Sequence, residues 1–346
     1  MEQQRIDLLR TLSEARGISG HEDEVAGIIR SRLEGHVDRF ERDAVKNLFA
    51  LKGMDRPGPL VMLNAHMDEV GLYVTRVTKE GYIHVGKAGG IDDRLLLGKK
   101  VLVGRNALPG VTAIKAVHLA TREETEQTVV KAEDIVVDVG AKNEADLAGK
   151  VSIGDQVTFD TTFGTFGEGY LLGKALDDRA GCAVIIELMT MEWPFPVVAM
   201  FSSQEEIGTR GARVGAWRYT PAVSITVEGT IAADIGEVPE AQQVTTLGGG
   251  TVLTIKDGGM ITDHHLRRQL IEVARANDLP WQFKRVPAGG TDARSIQLAG
   301  EGVRALAVAV PARYIHSPVS LIRASDYEST VTLLAKFLAQ LATTEA

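Results

Sequence analysis

Apolar residues follow two different rhythms along this chain. Leu8, Leu9 and Leu12 recur at helical spacing, and after the interruption from Gly17 to Gly20 so do Val25, Ile28, Ile29 and Leu33, which predicts two N-terminal helices. Ser19 and Glu22 stand three residues apart ahead of the second, the pattern of a capping box. Pro57, Gly58 and Pro59 then break the chain before Leu60-Val61-Met62-Leu63, an almost continuous apolar run of the kind a strand covered on both faces requires. Residues 197–201 repeat that run, residues 223–227 lead into Glu228, and residues 251–256, 281–286 and 303–310 are also strand-like. Helical texture returns over 177–191 and 264–277. A last helix carries Val331, Leu334, Phe337, Leu338 and Leu341 on one stripe behind a second capping-box pair, Ser325 and Glu328.

Between about residue 71 and residue 166 the rhythm changes to short β-branched runs separated by Gly and Asp, such as Tyr82-Ile83-His84-Val85-Gly86 and Ile135-Val136-Val137-Asp138-Val139-Gly140. The expected fold class is therefore α/β: an α/β/α sandwich around a mixed sheet, built from residues 1–70 and 167–346, with a small all-β, barrel-like domain inserted at 71–166.

Composition sets limits on the partners. With 346 residues, 44% of them apolar and 24% charged, the chain can bury at least one sizeable core. A net charge of -8 argues against a nucleic-acid partner, which calls for clustered Lys and Arg. Cys182 is the only cysteine, so no intrachain disulfide can form; its apolar surroundings predict a buried structural thiol, and a reducing compartment fits. The first residues lack the basic and apolar regions of a secretory signal, and no run approaches the roughly 20 apolar residues of a membrane span. The expectation is a cytoplasmic protein with no membrane partner.

Five possible metal ligands, His66, Asp177, Glu206, Glu228 and His316, each follow an expected strand or open an expected helix. In open α/β sheets, ligands collect outside the carboxyl ends of the strands, so remote segments can meet there. Imidazole and carboxylate suit zinc, and paired ions commonly share a carboxylate. The expected division places His66, Asp177 and Glu228 on one ion and Asp177, Glu206 and His316 on the other, with Asp177 bridging. Glu205 and Glu206 are adjacent, so in an extended segment they diverge: one can ligate while Glu205, left free, acts as general base. Asp68 lies two residues beyond His66 and is placed to accept the second imidazole N–H. Each residue also has an ordinary reading, as a solvated charge pair for Glu205-Glu206 or a helix-opening acidic pair for Asp177-Asp178. Gly289-Gly290-Thr291-Asp292-Ala293 reads as a loop and helix cap, or as a substrate-binding wall formed by Gly290, Thr291 and Asp292. His21, His36, His84, His264 and His265 suit surface or packing roles, and the role of His118 stays open.

Taken together, Ala65-His66-Met67-Asp68-Glu69-Val70-Gly71, Lys174-Ala175-Leu176-Asp177-Asp178-Arg179, Ser203-Gln204-Glu205-Glu206-Ile207-Gly208, Gly289-Gly290-Thr291-Asp292-Ala293 and Arg313-Tyr314-Ile315-His316-Ser317-Pro318 resemble the M42 family of metallo-aminopeptidases, of the glutamyl or tetrahedral aminopeptidase type. The resemblance implies a di-zinc or di-cobalt exopeptidase that removes N-terminal residues from short peptides. It puts His66, Asp177, Glu206, Glu228 and His316 on metal and Glu205 in the role of base. It also implies that the insertion serves dimerisation and as a lid, and that dimers build a hollow dodecamer. Two positions depart from the family pattern: Glu228 stands where Asp is common, and Val117 precedes His118-Leu119 where Pro is common.

The expected reaction is hydrolysis of an N-terminal peptide bond by a hydroxide that two metals activate, with acidic residues attracting the substrate's ammonium group. Relatives of the family have carried endoglucanase labels, so glycan hydrolysis by two carboxylates without metal is one alternative. Only 5% of the residues are aromatic, which weighs against a sugar-stacking groove. A non-catalytic peptide-binding assembly protein is the other alternative.

Overall fold

The computed structural model describes residues 1–122 and 129–344. An eleven-stranded mixed sheet forms its centre. Val61–His66 and Val197–Ser202 are buried at every position, as strands with a helix layer on each face must be. These two strands, with Val223–Ile231 and Arg304–Arg313, run parallel as neighbours, so their carboxyl ends share one edge. The outermost strand on one side, Arg39–Arg42, is charged and partly exposed, which discourages pairing with another sheet.

One face of the sheet carries the helices Gln3–Glu14, Asp23–Leu33, Leu176–Thr190, His264–Ala276 and Ala324–Thr344, whose apolar stripes join the largest core cluster. Val331, Leu334, Phe337, Leu338 and Leu341 are all buried in it. The thinner layer on the other face is built from Arg210–Tyr219 and Ala293–Ile296 packed over Phe49, Met62 and Met200.

The second sheet is a closed antiparallel barrel of six strands: Gly71–Val77, Ile83–Ala88, Val136–Asp138, Leu108–Ala113, Lys100–Val103 and Gln156–Phe159, in that order around the ring. Alternation points Leu72, Val74, Ile83, Val85, Val101, Val103, Val137, Val157 and Phe159 into its own core. Full burial of side chains this size contributes about 1.5–3 kcal/mol each. Gly164–Phe166, grouped with the insertion by its sequence texture, pairs instead with Tyr170–Gly173 in the large sheet.

Several expected boundaries move. Strand pairing of residues 223–231 runs through Glu228 to Ile231, and residues 304–313 continue past Pro311. Pro311 is tolerated because antiparallel pairing on its far side ends at Ala309 and resumes at Ala312, so no ladder needs its missing N–H. The strands at 251–256 and 281–286 shorten to Thr251–Leu253 and Trp281–Phe283.

Neither capping box forms. Ser19 Oγ donates to Asp68 Oδ2 at 2.6 Å, while Glu22 Oε1 accepts from the amides of Gly20 at 2.7 Å and Gln204 at 3.1 Å. Ser325 falls inside its helix, where Asp326 instead receives the amides of Gly248 and Gly250. In both places tertiary donors outcompete the local motif. No helix of the described residues is long and apolar enough to cross a membrane.

Candidate metal centre

Strand register brings the first residues together. His66 pairs with Ser202, and Asn64 pairs with Thr226, so Glu228 lies level with His66 on the next parallel strand. Asp177 comes from the helix behind them. The first residues of that helix, Asp177 and Asp178, have non-helical backbone, and they divide the work. Asp178 behaves as the capping acid: its carboxylate accepts from Gly181 N at 3.0 Å and His66 N at 3.2 Å. Asp177 is left free to face the sheet edge. Gly229 permits its approach, since a Cβ there would lie 2.8 Å from the Cα, Cβ and Oδ1 of Asp177.

Each oxygen of Asp177 faces a different imidazole. Oδ1 lies 3.4 Å from His66 Nε2, and Oδ2 lies 3.7 Å from His316 Nε2. Glu228 Oε1 is 3.2 Å from His66 Nε2, and Glu206 Oε2 is 3.3 Å from His316 Nε2. Two clusters result, one of His66, Glu205 and Glu228 and one of Asp177, Glu206 and His316, in each of which the potential ligand atoms lie within 4.8 Å of one another. All five expected ligands and Glu205 therefore converge.

Both imidazoles are oriented through Nδ1. That of His66 donates to the backbone carbonyl of Asp68 at 3.0 Å, and that of His316 to the carbonyl of Gly90 at 2.8 Å. A carbonyl only accepts, so in each ring the proton sits on Nδ1 and Nε2 turns to the acids, as in metal-binding histidines. Asp177 Oδ1 and Glu228 Oε2 are buried without a hydrogen-bond partner. Imidazole nitrogens, unpartnered carboxylate oxygens and carbonyl-fixed tautomers together fit a pair of divalent cations.

The Asp68 carboxylate has a different task from the one expected. Its nearer oxygen is 3.5 Å from His66 Nδ1, and the backbone carbonyl takes the shorter contact. The carboxylate accepts instead from Glu205 N at 2.9 Å and Glu206 N at 3.1 Å. Those two glutamates lie in a turn and not in an extended segment: Gln204 has φ +58°, and Glu205 O accepts from Gly208 N and Thr209 N. The turn sends one side chain to each cluster.

Electrostatically the cluster is crowded with acid. Burial, then Asp177 and Asp292, push Glu228 up to about 7 against the pull of His66. Burial first, then Glu228, Asp292 and Glu206, push Glu205 up to about 11. Glu206 is raised by burial and by Asp177. Burial lowers His66, but Asp177, Asp68 and Glu228 overcome it and raise the ring well above the usual value.

In the Gly289–Ala293 loop, Gly290 is exposed and Thr291 is buried, donating to Asp257 Oδ2 at 3.3 Å. Asp292 does not cap its helix; it lies buried, accepting from Ser202 Oγ and from Asn64 Nδ2 at 3.3 Å. Cys182 is fully buried, and its thiol donates to His66 O at 3.1 Å. His36, His118, His264 and His265 are exposed, while His84 meets Arg76 at 2.8 Å.

Sequence reasoning missed Gly90, Gly229, Glu22 and Lys284. Burial pulls the Lys284 ammonium down, while Asp257, Glu228 and Asp177 act in the opposite direction. Its place just after Trp281–Phe283, at a strand end, was the available signal.

The sequence profile of the M42 glutamyl aminopeptidase family matches residues 46–333. The lysyl aminopeptidase of Pyrococcus furiosus is 31% identical over 344 residues, covering 97% of this chain and 97% of that one. The Pyrococcus horikoshii TET1 peptidase, described as able to assemble into a tetrahedron or a large octahedral shell, is similar with a TM-score of 0.84 at 30% identity, over 96% of this chain and 98% of that one. A Thermotoga maritima protein described as an endoglucanase gives 0.80 at 32% identity, over 98% and 99%. The chain belongs to the M42 family and is a hydrolase of the aminopeptidase type.

Proposed function

We propose that the protein hydrolyses the N-terminal peptide bond of short peptides, with His66, Asp177, Glu206, Glu228 and His316 holding two divalent cations, zinc or cobalt, and Glu205 as general base. The observation that carries this reading is Asp177, which turns one oxygen to each histidine. When bound, the cations supply Lewis acidity toward the scissile carbonyl and make water more acidic. Glu205, whose carboxyl is pushed up by burial and by the acids around it, would be relieved of that crowding in the loaded site and would take a proton from water and deliver it to the leaving amine. Asp68 fixes the turn from which Glu205 hangs. Acidic residues near the centre would favour a substrate ammonium group, and the loop at Gly290, Thr291 and Asp292 would form one wall.

Glycan hydrolysis is disfavoured because it needs two carboxylates and no imidazole, whereas here two oriented imidazoles face the acids. A homo-oligomer is supported by the tetrahedral or octahedral shells described for the Pyrococcus horikoshii relative; assembly from dimers, with the barrel as dimerisation and lid domain and a dodecamer as its size, is part of the same proposal. Metal analysis and native mass measurement, run beside free and N-blocked aminoacyl substrates with Glu, Lys or Leu in first position, test the whole reading. Cleavage of the free substrates only, abolished by a chelator, is expected; cleavage of blocked substrates or of a glucan after metal removal overturns it.

A further inference from the structure

The turn that carries Glu205 and Glu206 offers three successive amides, and each ends on a buried carboxylate. Gln204 N donates to Glu22 Oε1 at 3.1 Å, Glu205 N to Asp68 Oδ1 at 2.9 Å, and Glu206 N to Asp68 Oδ2 at 3.1 Å. Successive amides converging in this way would ordinarily bind an external anion. Here the protein fills the position with its own acids.

Glu22 has no place in the chemistry described above. It is fully buried just ahead of the helix Asp23–Leu33, yet makes no cap to it, and its Oε2 has no hydrogen-bond partner. Withdrawing a glutamate from water is costly unless what it holds compensates. What it holds is a pair of backbones: Gly20 N at 2.7 Å in its own segment and Gln204 N, 182 residues further along the chain, at 3.1 Å. Gln204 has φ +58°, a left-handed conformation that an L residue adopts only under constraint. The next residue is Glu205, so the angle at Gln204 sets the direction in which the Glu205 carboxylate leaves the turn.

We propose that Glu22 is a positioning residue for Glu205, acting by holding the Gln204 amide and with it the left-handed backbone that aims the base. The proposal rests on Glu205 being the general base. It requires an acceptor oxygen at the full reach of a glutamate, and does not require negative charge: a glutamine keeps that oxygen, whereas an aspartate keeps the charge and falls one methylene short.

The test compares Glu22→Asp, Glu22→Gln and Glu205→Gln in the zinc-loaded protein, measuring kcat, KM, zinc per subunit and unfolding temperature. Misplacement of a reacting group by about 1 Å costs on the order of 100-fold, so Glu22→Asp is expected to lower kcat by about 10- to 100-fold. KM should stay within about twofold and zinc content should be unchanged. Glu22→Gln should keep most of the turnover. Normal kcat in Glu22→Asp, Glu22→Gln slower than Glu22→Asp, or zinc lost in step with rate overturns the proposal. Normal turnover in Glu205→Gln removes the general-base reading and the proposal with it, while normal turnover confined to Glu22→Asp leaves that reading standing.

Discussion

The two histidines of the centre are given the same orientation by very different means. His66 has 1% of its side chain exposed and ends a parallel strand, level with Ser202 and Glu228 on its neighbours, with its Nδ1 tied to a carbonyl two residues along. His316 is 41% exposed and has φ +56°, and its Nδ1 is tied to Gly90, which belongs to the barrel insertion. One half of the centre takes its geometry from sheet register and the other from a loop braced by a second domain. A sheet edge is fixed by many cooperative hydrogen bonds, whereas a loop can open locally at little cost. The halves should therefore hold their cations unequally.

The largest effect should come from the histidines themselves. His66→Ala is expected to leave the protein with neither ion after dialysis and with no measurable turnover, because Glu228 and Asp177 then face each other without a nitrogen between them. His316→Ala should keep one ion. Equal stoichiometry in the two variants, measured by elemental analysis, would break the comparison.

Gly229→Ala is expected to come next. Its new methyl would meet Asp177 at 2.8 Å, and Asp177 serves both halves, so both affinities should fall by about 10- to 100-fold, as for loss of a residue that orients a ligand. Loss at one ion only would mean that Asp177 is not shared.

A smaller effect should appear in the pH dependence of stability. In the metal-free fold Glu228 titrates near 7 against an ordinary 4.5, and Glu206 is shifted in the same direction. The folded chain thus keeps protons that the unfolded chain has released, and stability should fall as pH rises from about 4.5 to about 7. His66, also raised, contributes stability below its ordinary 6.5 that fades as pH rises through its folded value, which has the same sign. Thermal midpoints between about pH 5 and pH 8 should decline in chelator and flatten in zinc, because cations replace the protons. Parallel slopes would show that the acids do not answer to metal.

The smallest effect concerns Cys182, directly beneath the buried half. Burial pushes its thiol up and closes it to solvent, so a thiol-alkylating reagent should leave the native protein unmodified and label one site per chain after denaturation. Labelling of the folded protein would mean that the buried half opens as readily as the other.

Much of this division could be read in the sequence, for physical reasons that differ by element. Apolar runs announced Val61–His66 and Val197–Ser202 because a doubly covered strand admits little else, and the change to short β-branched runs announced the barrel. The residues of the centre stood out because few side chains suit a divalent cation. What stayed hidden depends on tertiary contact. Ser19 and Glu22 have the spacing of a capping box, and only the arrival of Asp68 and Gln204 redirects them. Glu228 looked like the residue after a strand because nothing in its neighbours reveals that pairing with residues 304–313 continues to Ile231. Gly90 acts through a carbonyl, a group every residue has, so its identity carries no signal.

The brace between Gly90 and His316 spans 226 positions of sequence and joins the insertion to the last strands of the sheet. A chain cut off before residue 316 would keep Glu205 and the other acids but lose the ring that faces Glu206 and one oxygen of Asp177.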